Sequence, residues 1–365
     1  MREVLRRLEP YAFEPSDREL ASLVGLRPDQ IVRLDTNASP YYPKGVINSV
    51  CRSVSKIRLN HYPDTSYASL RHYISCYAGV GPDNVIPTNG ADEGIDIVTR
   101  AFVEKGDEVL APHPTYSYFR VSSEIQGAEF IRIDSDDKFR IDIGALISRA
   151  SERTSLIFLC NPNNPTGQSL PMREVERICS SVEVPVLVDE AYYEYCGTSA
   201  APLIEKYQNL IVVRTLSKAF GLAGIRIGYL LASEETVDLL NKVRPPNSLG
   251  VLNIAIAERA LRDPQFVKRF VERIAGVREW LYRELASIKS LEVFPSRTNF
   301  LLVRLLKGDS QDLWTRLLKR GLVVRRFASD PMLRNCLRIT IGEMKHARVI
   351  ANVITRYIED AEGEV

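Results

Sequence analysis

The segment that is most informative about the fold is Thr215-Leu-Ser-Lys-Ala-Phe-Gly-Leu-Ala-Gly-Ile-Arg-Ile-Gly228. It lies between two apolar runs, Leu210–Val213 and Ile225–Leu231, and the first of these is typical of a buried strand. A lysine beside a buried strand is costly unless its ammonium group is paired or its charge is removed. A Schiff base with an aldehyde cofactor is one way in which a protein uses such a lysine, so Lys218 is a candidate catalytic residue.

Three neighbours of that lysine suit an anion. Thr215 and Ser217 can hydrogen-bond a phosphate group, and Arg226 can neutralise one through a bidentate contact. The alternative interpretation of the same stretch is a strand, a glycine-rich turn and an exposed lysine with no ligand.

Composition restricts the class of protein. The chain has 365 residues, of which 45% are hydrophobic and 26% are charged, as in an ordinary globular protein of two domains. The net charge is +2, with 48 basic and 46 acidic residues. Such a balance gives no support for nucleic acid or an anionic membrane as the main partner.

Cysteine and histidine usage gives no sign of disulfides or metal. The six cysteines are dispersed, and the four histidines lack metal-ligand spacing. The first residues are too charged for a signal peptide, and no apolar run approaches the roughly 20 residues of a membrane span. We therefore expect a cytoplasmic protein with free thiols and no metal site.

Short apolar strands alternate with amphipathic helices from about residue 107 onward. The predicted strands are Glu108–Ala111, Glu129–Ile133, Leu156–Cys160, Val184–Val188, Leu210–Val213 and Ile227–Leu231, followed by Asn299–Val303, Leu322–Arg325 and Leu337–Ile341. This alternation predicts an α/β fold with a mainly parallel sheet. We expect an arm over residues 1–44, a large domain over 45–246 and a small α+β domain over 247–365.

A second candidate anion site precedes a helix. Gly90, Ala91 and Asp92 come before an apolar stripe with helical spacing, and backbone N–H groups at a helix start bind anions. The alternative is an ordinary helix cap that contains glycines.

Polar side chains follow the predicted strands where ligands bind in parallel sheets, at the carboxyl ends. Asp189 ends an apolar strand, and a carboxylate there suits a protonated pyridine nitrogen, which makes the ring an electron sink. Asn164 and Tyr192 could hydrogen-bond a ring hydroxyl, and Tyr116 could stack on the ring. Taken singly, Asp189 could be a helix N-cap and the tyrosines could be core residues.

These segments together resemble the fold-type I, pyridoxal-phosphate-dependent aminotransferases of class I/II, over nearly the whole chain and most closely in their histidinol-phosphate branch. The motifs that carry the resemblance are Gly-Ala-Asp-Glu-Gly at 90–94, Pro-Thr-Tyr at 114–116, Asn-Pro-Asn-Asn-Pro-Thr-Gly at 161–167, Val-Asp-Glu-Ala-Tyr at 188–192, Thr-Leu-Ser-Lys-Ala-Phe-Gly-Leu-Ala-Gly-Ile-Arg at 215–226 and Leu-Arg-Ile-Thr-Ile-Gly at 337–342. The resemblance implies a seven-stranded, mainly parallel sheet sandwiched by helices, and pyridoxal 5'-phosphate as the cofactor.

The resemblance also implies a role for each residue. Lys218 would be the Schiff-base lysine, and Asp189 would be the partner of the pyridine nitrogen. The other cofactor residues implied are Gly90, Ala91, Asp92, Tyr116, Asn164, Tyr192, Thr215, Ser217 and Arg226, with Tyr62 reaching the cofactor of a second subunit in a homodimer.

Substrate residues are implied in the same way. Arg338 would bind an α-carboxylate, and Arg325 and Tyr11 would meet a substrate phosphate, with Arg326 as a rival to Arg325. Asn37 matches the family, but it is followed by Ala38-Ser39-Pro40 where the branch has Glu-Asn-Pro. This departure concerns the substrate rather than the cofactor.

The implied reaction is transamination in histidine biosynthesis, from L-histidinol phosphate and 2-oxoglutarate to imidazole-acetol phosphate and L-glutamate. Alternatives with the same cofactor are an aromatic amino-acid aminotransferase and a decarboxylase of an amino-acid phosphate such as threonine phosphate. The sequence has no basic helix-turn-helix segment, which argues against a cofactor-dependent transcription regulator. The sequence also has no glycine-rich fingerprint after an early strand, which argues against a nicotinamide oxidoreductase.

Overall fold

A computed structural model describes residues 4–7 and 14–363 of the chain. The strands are β1 (Val32–Leu34), β2 (Val85–Thr88), β3 (Glu108–His113), β4 (Glu129–Asp134), β5 (Thr154–Cys160), β6 (Val186–Asp189), β7 (Leu210–Thr215), β8 (Gly228–Leu231), β9 (Leu291–Phe294), β10 (Phe300–Leu305), β11 (Leu322–Arg326) and β12 (Cys336–Thr340).

The α-helices are α1 (Val4–Arg7), α2 (Asp17–Val24), α3 (Lys44–Cys51), α4 (Ala68–Ala78), α5 (Gly90–Phe102), α6 (Tyr118–Gln126), α7 (Ile143–Arg149), α8 (Met172–Ser181), α9 (Tyr193–Cys196), α10 (Glu234–Asn241), α11 (Val251–Arg262), α12 (Gln265–Ala286), α13 (Ser310–Leu318) and α14 (Met344–Gly363). Among these described helices, none combines the length and hydrophobicity that crossing a bilayer requires.

Seven strands form the large sheet, in the order β2-β8-β7-β6-β5-β3-β4. The five strands from β7 to β4 in that order run parallel to one another, whereas β8 runs antiparallel to both of its neighbours. The prediction of an α/β fold with a mainly parallel, seven-stranded sheet is confirmed.

The central strands of the large sheet are buried on both faces. On one face, Leu187 and Ile211 pack with Val98 of α5 and Phe119 of α6. On the other face, the alternate strand residues pack in a second cluster with residues of helices α4 and α8, among them Leu70 and Ile178. Because side chains alternate along a strand, burial on both faces explains why these strands are continuous apolar runs.

Five strands form a small sheet, in the order β1-β11-β12-β10-β9, which is antiparallel apart from the parallel pair β1 and β11. Strand β1 comes from the first 44 residues, so this part of the chain contributes a strand to the small sheet. The division into an arm and two domains at residues 44 and 246 stays a prediction.

Three strands, β1, β2 and β9, were not expected from the sequence. Strand β1 is only three residues long. Strand β2 contains Pro87, and a proline within an apolar run argues against a central strand. The structure accommodates Pro87 because β2 is an edge strand of the large sheet. Strand β9 is only four residues long and carries a glutamate, so its apolar pattern is weak.

Candidate active site

The parallel strands of the large sheet end at one cavity of about 490 Å³. Its wall includes residues that follow β3, β5, β6 and β7 at their carboxyl ends, and part of the small sheet encloses it from the other side. The predicted site residues that line it are Asn37, Ala91, Asp92, Tyr116, Asn164, Asp189, Tyr192, Thr215, Ser217, Lys218, Arg226, Arg325 and Arg338.

Lys218 follows strand β7 and is partly buried in the wall of the cavity. Its Nζ donates a hydrogen bond to the carbonyl oxygen of Thr36 at 3.2 Å and lies 5.8 Å from the centre of the Tyr192 ring. Burial, together with the positive charge of Arg338, lowers the pKa of the lysine to about 8. A substantial fraction of Lys218 is therefore a neutral amine near physiological pH, as a nucleophile requires.

Asp189 is the last residue of strand β6 and is 4% exposed. Burial raises the pKa of its carboxyl group to about 7, although a hydrogen bond from the backbone N–H of Ala191 at 2.9 Å opposes the shift. Lys218 and Asp189 line the same cavity, and each acts on the charge of the other. A carboxyl group with this pKa can exchange a proton with a ring nitrogen.

A group of polar atoms near the start of helix α5 suits an anion. The hydroxyl of Thr215 donates to the hydroxyl of Ser217 at 2.8 Å, and both residues line the cavity. Gly90 adopts a left-handed conformation with φ of 79°, and a Cβ atom there would overlap the guanidinium group of Arg226. A glycine is thus required for Arg226 to approach the helix start.

The carboxylate of Asp92 is already engaged. It accepts a hydrogen bond from the Tyr116 hydroxyl at 2.9 Å and pairs with Arg226 at 3.1 Å. A carboxylate also repels a phosphate, so Asp92 suits an anion site through its backbone N–H at the helix start rather than through its side chain.

Tyr192 is held by a buried hydrogen-bond network. The Nδ2 of Asn37 donates to the Tyr192 hydroxyl at 2.9 Å, and Thr340 and Asn299 hold Asn37 through bonds of 3.0 Å and 2.9 Å. Burial raises the pKa of the Tyr192 hydroxyl above its usual value, so this hydroxyl stays protonated at neutral pH. Asn37 itself takes a left-handed φ of 55°, which asparagine tolerates better than most residues.

Arg338 is buried and only partly satisfied. One of its terminal nitrogens donates to Asn164 Oδ1 at 2.5 Å, and the other donates to the carbonyl oxygen of Asp35. Its Nε is buried without a hydrogen-bond partner, and burial lowers the pKa of the guanidinium group. Because a buried unmatched donor is unfavourable, this arginine favours an anionic ligand with further acceptor oxygens.

Arg325 and Arg326 both line the cavity, so the choice between them as the phosphate ligand stays open. Arg325 forms an ion pair with Glu14 at 3.2 Å. Glu14 was not predicted, because it belongs to none of the sequence motifs or predicted strands.

Several other wall residues that were not predicted lie at or after the end of a strand. The segment Phe327–Asp330 follows the carboxyl end of strand β11, and Asp330 contacts His113 of β3 at 3.2 Å. Cys160 ends strand β5. The strand-end argument that identified Asp189 also applies to Cys160. It does not apply to Phe327–Asp330, because β11 belongs to the small, mainly antiparallel sheet.

Two of the predicted site residues that the structure describes, Gly90 and Tyr62, are not in the cavity wall. Gly90 lies immediately behind it, against Arg226. Tyr62 is 85% exposed and does not line the cavity. Tyr11 lies outside the described residues.

Comparison with known proteins gives one consistent result. The profile of the family "Aminotransferase class I and II" matches residues 29–354. The chain is 36% identical to the histidinol-phosphate aminotransferase of Methanocaldococcus jannaschii, over 98% of this chain and 97% of that protein. It is 39% identical to that of Caldanaerobacter subterraneus subsp. tengcongensis, over 85% of this chain and 88% of that protein.

Solved structures agree on the fold. The histidinol-phosphate aminotransferase of Sinorhizobium meliloti in complex with pyridoxal-5'-phosphate superposes with a TM-score of 0.88 at 24% identity, covering 99% of this chain and 98% of that one. The aspartate aminotransferase of Thermotoga maritima superposes with a TM-score of 0.83 at 18% identity, covering 98% of this chain and 100% of that one.

Proposed function

The chain belongs to the class I and II aminotransferase family, and from that premise we propose that it transfers an amino group from L-histidinol phosphate to 2-oxoglutarate with pyridoxal 5'-phosphate as cofactor. The products are imidazole-acetol phosphate and L-glutamate, in a step of histidine biosynthesis. Support comes from relatives named histidinol-phosphate aminotransferase that match along the chain at 33–39% identity. The cytoplasm stays the predicted location.

The residues of the cavity fit this cofactor. When bound, pyridoxal phosphate supplies an aldehyde that carries the amino group and a ring that takes up electrons. Lys218 would hold the aldehyde carbon, Asp189 the pyridine nitrogen, and the hydroxyl of Tyr192 the ring oxygen. A Cβ atom at left-handed Gly90 would overlap the guanidinium group of Arg226, so glycine at this position lets Arg226 lie at the start of helix α5, where the phosphate would bind.

Lys218 and Asp189 have different roles in the proton chemistry. Lys218, with a pKa of about 8, can take a proton from the substrate carbon that bears the amino group and return it later. The Asp189 carboxylate favours the protonated pyridine nitrogen, and its burial strengthens that interaction. Lys218 and Asp189 share one cavity, and this single observation carries the proposal.

Substrate recognition would depend on the two arginines of the small sheet. Arg338, with its unmatched Nε, would bind the α-carboxylate of glutamate. Arg325 would bind the phosphate of histidinol phosphate, and Tyr11 is the further group that we propose there. Arginine binds the planar carboxylate and the tetrahedral phosphate alike through bidentate hydrogen bonds.

A homodimer is the finer part of the proposal. Tyr62 and Leu59 are 85% and 64% exposed, so both side chains are accessible to a second subunit. We propose that Tyr62 reaches the cofactor phosphate of the partner subunit. Analytical ultracentrifugation tests the dimer, and a Tyr62→Phe variant with weaker cofactor affinity but unchanged association would support the role of the hydroxyl.

The substrate is tested by mixing the holoenzyme with one amino donor at a time and following the cofactor absorbance. L-Histidinol phosphate should convert the cofactor to its amine form much faster than L-phenylalanine, L-tyrosine or L-threonine phosphate. Faster conversion by an aromatic amino acid, or release of carbon dioxide from L-threonine phosphate, would overturn the assignment in favour of one of the two alternatives.

A further inference from the structure

We infer that Glu14 is an internal competitor for the anion subsite at Arg325, from which an incoming anionic group must displace it. The inference takes the identity of that group, a substrate phosphate, from the proposed function. The subsite itself is defined by contacts of the chain. Glu14 lies three residues before helix α2 and lines the same cavity as Lys218 and Arg338.

Both carboxylate oxygens of Glu14 are engaged by arginines. Its Oε1 accepts from Arg325 at 3.2 Å, and its Oε2 accepts from Arg33 at 3.0 Å. Arg33 also donates to the carbonyl oxygen of Pro15 at 3.0 Å and to Asp35 at 2.9 Å. The segment that carries Glu14 is therefore anchored on strand β1, next to the cavity.

Glu14 compensates a concentration of positive charge. Arg325 and Arg338 are directly opposite one another in the antiparallel pair of β11 and β12, and Arg338 is buried. Two adjacent guanidinium groups repel each other, most strongly where solvent is excluded. The Glu14 side chain is 28% exposed and that of Arg325 is 31% exposed, so their pair is partly shielded yet open to exchange.

A phosphate ester is a stronger partner than Glu14 for Arg325 and Arg338. It carries about two negative charges near neutral pH and three terminal oxygens, whereas a carboxylate carries one charge and two oxygens. A neutral group offers no charge and leaves the Glu14–Arg325 pair intact. Glu14 therefore keeps the arginines compensated between turnovers and weakens the binding of every anion, including the phosphorylated product.

The test compares wild-type holoenzyme with the Glu14→Gln variant, which keeps the side-chain shape and removes the charge. We expect the Kd for inorganic phosphate, measured by isothermal titration calorimetry, to fall by about fivefold or more. The KM for L-histidinol phosphate should fall in the same direction.

The matched control is Asp17→Asn. Asp17 also pairs with Arg33, at 3.3 Å, but it does not line the cavity. Its replacement should change the Kd for phosphate less than about twofold. In an Arg325→Ala background, Glu14→Gln should not lower the Kd for phosphate, because Glu14 then no longer competes for Arg325.

An unchanged or higher Kd for phosphate in Glu14→Gln would overturn the inference, and so would equal tightening in the Arg325→Ala background. The proposed function fails separately. If wild-type enzyme does not turn over L-histidinol phosphate while Glu14→Gln still binds inorganic phosphate more tightly, the substrate assignment is wrong and the competitor role stands.

Discussion

The two halves of the active-site cavity are built differently. The half that we propose for the cofactor contains residues at the carboxyl ends of strands of the large sheet, such as Asp189 at the end of β6 and Lys218 after β7. The half that we propose for the substrate combines Arg325 and Arg338 of the small sheet with Glu14 from the N-terminal segment. The first half follows from the local order of strands, whereas the second depends on contacts across about 300 residues, such as the Glu14–Arg325 bond.

The halves also differ in how their charges are balanced. In the half proposed for the cofactor, burial moves the pKa of Asp189 to about 7 and that of Lys218 to about 8, so both groups titrate near neutral pH. In the substrate half, Arg325 is compensated by Glu14. We propose that the groups that titrate near neutral pH serve proton transfer, whereas the paired charges serve the exchange of one anion for another.

The largest expected effect comes from removing the lysine. Lys218→Ala should lower the rate of the amino-transfer half-reaction by about 10⁴-fold, because both the covalent link and the proton-transfer group are lost. The visible absorbance of the cofactor-bound protein should change as well. Stopped-flow absorbance measures both. A near-normal rate would contradict the catalytic role of Lys218, and with it the distinction between the two halves.

The second effect separates two interpretations of Asp189. Asp189→Asn keeps an oxygen that can accept the hydrogen bond from Ala191 but removes the charge that stabilises a protonated ring nitrogen. We expect turnover to fall by about 10³-fold. As a control, Asp142 also accepts a backbone hydrogen bond, from Ala145, without lining the cavity, and Asp142→Asn should leave turnover nearly unchanged. Near-normal turnover in Asp189→Asn would reduce this residue to a structural cap.

The third effect concerns the substrate half alone. Arg325→Ala should reduce kcat/KM for L-histidinol phosphate by about 10²-fold and that for L-glutamate far less, since only the first substrate carries a phosphate. Arg326→Ala is the matched comparison, because both arginines line the cavity. Equal losses for both substrates in Arg325→Ala would contradict a phosphate role, and a selective loss in Arg326→Ala would transfer that role to its neighbour.

The smallest effect is a pH dependence in the cofactor half. The pKa of Lys218 is lowered to about 8, so protonation below pH 8 removes the neutral amine that captures an aldehyde. Capture of pyridoxal phosphate by the apoenzyme should accelerate about tenfold from pH 7 to pH 9 and then level off. A rate that continues to rise toward pH 10.5, as for an exposed lysine, would show that burial does not control this group.

The sequence was sufficient for most of the cofactor half. Asp189, Ser217 and Lys218 follow apolar runs, and parallel strands bring such residues to one edge of a sheet. The family resemblance predicted the seven-stranded sheet. Strand β2 was not predicted from its own residues, because Pro87 interrupts the apolar run.

The substrate half was less predictable for a physical reason. The ion pair between Glu14 and Arg325, and the network that joins Asn37 to Tyr192, connect segments that no local pattern relates. Burial and pKa shifts also arise only when the chain is folded. The roles of Tyr11 and Tyr62 stay predictions, because the first lies outside the described residues and the second faces solvent.

A crystal structure of the protein with pyridoxal phosphate bound tests the central claim most directly. We predict continuous density from Lys218 Nζ to the cofactor, and an Asp189 carboxylate oxygen about 2.6–3.0 Å from the pyridine nitrogen. Density joining the cofactor to another lysine, or a pyridine nitrogen with no contact to Asp189, would contradict the account.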